Sequence, residues 1–169
     1  MLIGFMGTGK SRVGKVLEQR TGFRRFDTDE IISSTLKMPI EKIFSIHGEE
    51  HFRELETETL RSLSTEERAI IVTGGGIVLR SENVDLLKQL GAVVWFDADE
   101  ATLRRRIHRL SDRPLLRTAN PEATLSELRE TREPLYRNAA DLRVDISRKN
   151  PEQIAELILK NITDFPVGE

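Results

Sequence analysis

Gly4-Phe5-Met6-Gly7-Thr8-Gly9-Lys10-Ser11 has the form G-x-x-x-x-G-K-[ST]. Its glycines let the backbone fold tightly around an anion with N–H groups pointing inward. The helix that starts here turns its positive end toward the same anion. In such a loop Lys10 reaches the β- and γ-phosphates of a nucleotide, and the Ser11 hydroxyl ligates Mg²⁺. Gly7, Thr8, Gly9, Lys10 and Ser11 are therefore the expected nucleotide cradle. The plain alternative is a glycine-rich turn with an incidental lysine. Apolar Met1-Leu2-Ile3 before the loop and a helical pattern after it argue for the cradle.

Outward from the loop, short apolar runs alternate with helical patterns, which marks repeated βα units and a parallel sheet. Strands are expected at residues 1–4, 24–27, 69–73, 93–97 and 142–146. The runs Ala69-Ile70-Ile71-Val72 and Ala92-Val93-Val94-Trp95-Phe96 suit strands covered on both faces. Helices are expected at 10–21, 29–36, 40–47, 49–63, 82–90, 99–110, 124–137 and 152–161. Gly48 interrupts any helix shared by His47 and His51. The segment 111–123 has little periodicity and reads as a mobile cover over a phosphate site. The tail from 164 to 169 is expected to fray. The first strand has room for fewer residues than the usual five or so, which suggests that a few precede Met1. No signal peptide is legible at the start.

The chain has 169 residues, enough for one domain with its own core. It carries 26 basic and 28 acidic residues, a formal net charge of −2, which argues against a general nucleic-acid binder. It contains no cysteine, so disulfides, thiolate catalysis and cysteine zinc sites are excluded. No apolar run approaches membrane-spanning length.

Asp27-Thr28-Asp29 closes the second expected strand, at the sheet edge where open α/β folds bind ligands. Two carboxylates so spaced can divide their roles, one supporting Mg²⁺ and one facing a substrate hydroxyl. The competing reading is a pair of helix N-cap acids. Gly74-Gly75-Gly76 follows the third strand and permits close approach of backbone to a ligand. Arg53, Arg113 and Arg132 are candidate anion holders by virtue of their planar fork. Arg104-Arg105-Arg106 cannot share one helix face, so at most one or two of them enter a site. His47, His51 and His108 read as surface or structural, and Trp95 as core.

Six marks in order resemble the shikimate kinases, P-loop kinases related to the nucleoside monophosphate kinases: residues 4–11, Asp27–Asp29, Gly-Glu-Glu-His-Phe-Arg-Glu-Leu-Glu at 48–56, Gly74–Gly76, Arg-Pro-Leu-Leu at 113–116 and Arg-Glu-Pro-Leu-Tyr at 132–136. The resemblance runs from Leu2 to about Ile162. It implies a three-layer α/β/α fold on a five-stranded parallel sheet of order 2-3-1-4-5, in one domain over 1–169. A lid is implied at about 111–123 and a substrate-binding helical segment at about 29–63. It implies ATP-dependent, Mg²⁺-dependent phosphorylation of the shikimate 3-hydroxyl in aromatic amino-acid biosynthesis.

By position, Asp29 would face the reacting hydroxyl, and Asp27 would support Mg²⁺ beside Ser11. Arg53 and Arg132 would hold the shikimate carboxylate, with Gly74, Gly75 and Gly76 presenting backbone to the ring. Lys10 and Arg113 would act at the transferring phosphate, and lid closure would suppress ATP hydrolysis. Arg106, with Arg148 and Pro151, would flank adenine. The expected partners are shikimate and ATP, with no nucleic acid and no membrane, in a cytoplasmic monomer. A gluconate kinase or a catalytically silent binding protein of this type are the alternatives.

Overall fold

The computed structural model describes residues 1–107 and 120–162. Five parallel strands form one sheet in the order β2-β3-β1-β4-β5. They are β1 (Leu2–Gly4), β2 (Arg24–Asp27), β3 (Ala69–Val72), β4 (Val94–Asp97) and β5 (Leu142–Asp145). Each lies within a residue of its expected limits. The helices are α1 (Lys10–Thr21), α2 (Thr28–Leu36), α3 (Ile40–Ser62), α4 (Ser81–Leu90), α5 (Glu100–Ile107), α6 (Pro121–Ala139) and α7 (Pro151–Ile162). Helices α1 and α7 pack on each other beside the sheet, while α3, α4 and α6 form a connected layer. This is the three-layer arrangement expected, with helices on both faces.

The interruption expected at Gly48 is present: it stands between the two helical parts of α3 at φ 82°, ψ 169°, a kink that glycine tolerates without strain. Two other local outcomes differ from the expectation. A 3₁₀ turn at Ile77–Leu79 follows the glycine triad. Helix α6 begins at Pro121, so residues 121–123 are its first turn. The reason is local: the Asn120 side chain accepts from Ala123 N at 3.2 Å, and Pro121 occupies the first helical position, where no N–H is needed. The rest of the expected cover with Arg113, the last residues of the expected helix 99–110 with His108, and the tail from 164 lie outside the described residues.

The apolar residues divide into two bodies. The main core joins Ile3, Ile71, Phe96, Leu87, Tyr136 and Ile154 across the sheet. A smaller cluster, Ile32, Ile43 and Phe52, lies between α2 and α3 with Phe44 and Ile40 against it. The first body carries the phosphate loop; the second supports the helices beside it. Among the described residues, no helix is long and apolar enough to cross a membrane.

Candidate active site

The loop between β1 and α1 takes its shape from Gly4, Gly7 and Gly9, whose φ values are 137°, 76° and 89°. Thr8 is buried, and its hydroxyl donates to Phe5 O at 2.7 Å, bracing the turn from inside. Lys10 lies over the loop, and its ammonium donates to Gly4 O at 2.7 Å and to Phe5 O at 3.0 Å. From the opposite side, Arg106 donates to Thr8 O at 2.9 Å. Burial, with Arg105 and Arg12 nearby, lowers the pKa of Arg106, so positive charge is crowded at this loop. Of the three consecutive arginines, Arg106 alone faces the loop: Arg104 pairs with Glu100 and Glu122, and Arg105 with Thr102.

Asp27 caps a helix and also touches the phosphate loop. Its Oδ1 accepts from Asp29 N at 3.2 Å, capping α2, while its Oδ2 accepts from the Ser11 hydroxyl at 2.8 Å. The carboxylate is therefore fixed next to the loop. Hard oxygen donors of this kind suit Mg²⁺. Among the described residues, no group of three or more His, Asp or Glu side chains could hold a metal. His47 and His51 do approach, with ring centroids 5.2 Å apart, and His51 pairs with Glu54.

Asp29, Arg53, Gly74, Gly75, Gly76 and Arg132 line one cavity. Met6, from the phosphate loop, lines it too, so cradle and cavity adjoin. The fit is close. A Cβ on Gly76 would collide with the Arg53 guanidinium, and one on Gly74 would stand 2.7 Å from Asp29 Oδ1 and 2.8 Å from Glu56 Oε1. Arg132 is 3 % exposed, and its Nη1 donates to Gly75 O at 3.2 Å.

Arg53 is held by two carboxylates, Glu49 and Glu56, each at 2.7 Å. Burial opposes its charge, yet Glu56 and Glu49 keep its pKa above the ordinary arginine value. Glu56 is fully buried, and that burial pushes its carboxyl up to about 7 against the attraction of Arg53. Its Oε1 has no hydrogen-bond partner among the described residues. Two site components lie beyond those the sequence singles out. Glu56 is detectable as an acid three places after Arg53 on an otherwise apolar stripe. Tyr136, one turn after Arg132, donates its hydroxyl to Gly75 O.

Arg148 and Pro151 lie apart from this convergence, at the end of β5 and the start of α7. Arg148 takes φ 59° and lines a hollow of about 760 Å³ with Asp99, Ser147, Lys149 and Gln153. Among the described residues, neither is hydrogen-bonded to the phosphate loop.

Residues 6–163 match the family model described as shikimate kinase. That match spans most of the chain and includes the cavity residues. The chain belongs to the shikimate kinase family. A shikimate kinase of Thermodesulfovibrio yellowstonii is 42% identical over 169 residues, covering 100% of this chain and 97% of the relative. One of Geobacter metallireducens is 44% identical over 154 residues, covering 91% and 86%. The solved shikimate kinase of Acinetobacter baumannii, in complex with shikimate, superposes with a TM-score of 0.92 at 33% identity, over 99% of this chain and 93% of that one. Family membership agrees with the sheet order and with the six ordered marks.

Proposed function

We propose that this chain transfers the γ-phosphoryl group of ATP to the 3-hydroxyl of shikimate. The observation that carries the reading is the convergence of Asp29, Arg53, the glycine triad and Arg132 on one cavity that shares Met6 with the phosphate loop. Two arginines on the walls suit a small carboxylic acid, because a guanidinium fork matches a carboxylate. A polyol acid of open chain gives no reason for the narrow glycine floor under Arg53.

Phosphoryl transfer has a loose transition state, so positioning and charge stabilisation dominate. The hydroxyl oxygen forms a bond to the γ-phosphorus as the bond to the β–γ bridging oxygen breaks. Asp29 orients that hydroxyl and accepts its proton. Lys10 stabilises the charge that develops on the phosphoryl oxygens and on the leaving diphosphate. Arg53 and Arg132 fix the acid end of the substrate. Ser11 and Asp27 would hold Mg²⁺, which supplies charge neutralisation at the phosphates. Arg113 is assigned to the transferring phosphate, and Arg148 and Pro151 to adenine, by the resemblance. Arg106 joins them with its contact to the loop as support. In this reading the chain is a cytoplasmic monomer acting on two small molecules.

A coupled ADP-release assay tests the reading. ADP release that depends on shikimate is expected. Release with gluconate alone would favour the sibling kinase, and no release with either would favour a silent binding protein.

A further inference from the structure

The carbonyl of Gly75 receives two donors from one helix face. Arg132 Nη1 donates to it at 3.2 Å, and so does the hydroxyl of Tyr136, four residues later on α6. Residues so spaced lie on the same face of a helix. Tyr136 is 2 % exposed, and its ring stacks on Trp95 with centroids 6.1 Å apart and planes 23° apart. Burial raises the pKa of its phenol, so the group keeps its proton at neutral pH.

A carbonyl oxygen has two lone pairs. Here both are engaged from the α6 side, which fixes the plane of the peptide between Gly75 and Gly76. In a planar trans peptide the N–H points opposite to the C=O. The Gly76 N–H is therefore turned away from α6. Glycine has no side chain to resist rotation of this plane, so something else must hold it. Arg132 cannot do so undisturbed, because its guanidinium is also the proposed holder of the substrate carboxylate. The phenol, which also neighbours the Arg132 guanidinium, has no proposed contact with the substrate.

We propose that Tyr136 is a positioning residue for the acceptor substrate, holding the Gly75 carbonyl so that the glycine floor keeps its orientation while Arg132 engages the carboxylate. This rests on the functional reading above. A purely space-filling role for Tyr136 would depend on the ring alone, not on the hydroxyl.

Tyr136→Phe keeps the ring and the Trp95 contact. The expected result is a rise of about fivefold in the shikimate KM, the weight of one neutral hydrogen bond. Shikimate Kd by calorimetry should rise equally, with the ATP KM unchanged. A shikimate KM and Kd equal to those of the unaltered enzyme would overturn the proposal. So would equal rises in both substrates' KM values, which would mean a general loss of order. The unaltered enzyme is assayed alongside: if it fails to phosphorylate shikimate, the functional reading falls and takes this proposal with it. If it succeeds while Tyr136→Phe is indistinguishable, this proposal alone falls.

Discussion

The phosphate cradle and the cup proposed to bind the acid lie side by side but are built in different ways. The cradle is one run of eight residues whose shape comes from backbone: three glycines at positive φ, a buried threonine brace and a helix start. It rests on the main core that spans the sheet. The cup is assembled from four distant segments, the start of α2, the middle of α3, the loop after β3 and the middle of α6. It is held by side chains, with buried charges facing one another, and it rests partly on the small cluster between α2 and α3. A local device tolerates little change in its own residues and is indifferent to its neighbours. A convergent one depends on every element that brings its parts together.

That contrast can be broken by separating the two halves. Lys10→Met should lower kcat by about 10²–10³-fold, the usual weight of one charge-stabilising donor. Calorimetry should show shikimate Kd unchanged, because the cup keeps its own supports. A parallel loss of shikimate binding would merge the two regions into one.

Asp29 stands at the junction. Asp29→Asn should lower kcat by about 10²-fold through misorientation of the hydroxyl. The KM values for ATP and shikimate should move much less. Steady-state kinetics with near-normal turnover would remove Asp29 from its role.

Glu56 sharpens the comparison through pH. Its folded pKa of about 7 exceeds the ordinary 4.5 because burial disfavours the charge. The native state therefore holds an extra proton between those values. The associated stability is complete below pH 4.5 and is lost as pH rises to about 7, at a rate of at most ~1.4 kcal/mol per pH unit. Urea denaturation across this range should show a gentler decline in Glu56→Gln than in the unaltered protein. Identical slopes would contradict the buried, elevated carboxyl.

The smallest effect is expected at Gly48. Among the described residues, no atom beyond its chain neighbours and its own helix backbone lies within 4 Å of where its Cβ would be, so Gly48→Ala carries only the cost of its φ of 82°. That cost is about 1–3 kcal/mol and should appear in the denaturation midpoint. A neutral Gly48→Ala would show that the kink between the two parts of α3 relaxes freely.

The two regions also differ in how far the sequence reveals them. The cradle and all five strands are legible, because each is encoded by a contiguous pattern of glycines or apolar residues. The cup is not legible in that way. Arg53 and Arg132 resemble any surface arginine in a chain with 26 basic residues, and only the ordered family marks pick them out. Glu56 escapes because a carboxylate on a helix is ordinarily solvated, and its burial follows from packing against Arg53. Tyr136 escapes because the carbonyl it binds is 61 residues away. The start of α6 differs for another reason: Asn120-Pro121 reads as loop chemistry, although it is equally a cap followed by a first-turn proline.

In the proposed function, Arg132 reads the carboxylate of the acceptor together with Arg53. A comparison of shikimate with its neutral carboxamide, by kcat/KM, in the unaltered enzyme and in Arg132→Met isolates that contact. The unaltered enzyme should prefer the acid by about 30- to 1000-fold, as for loss of one partner of a buried charged pair. In Arg132→Met that preference should largely collapse. A preference that survives intact in Arg132→Met would mean that the carboxylate is read elsewhere.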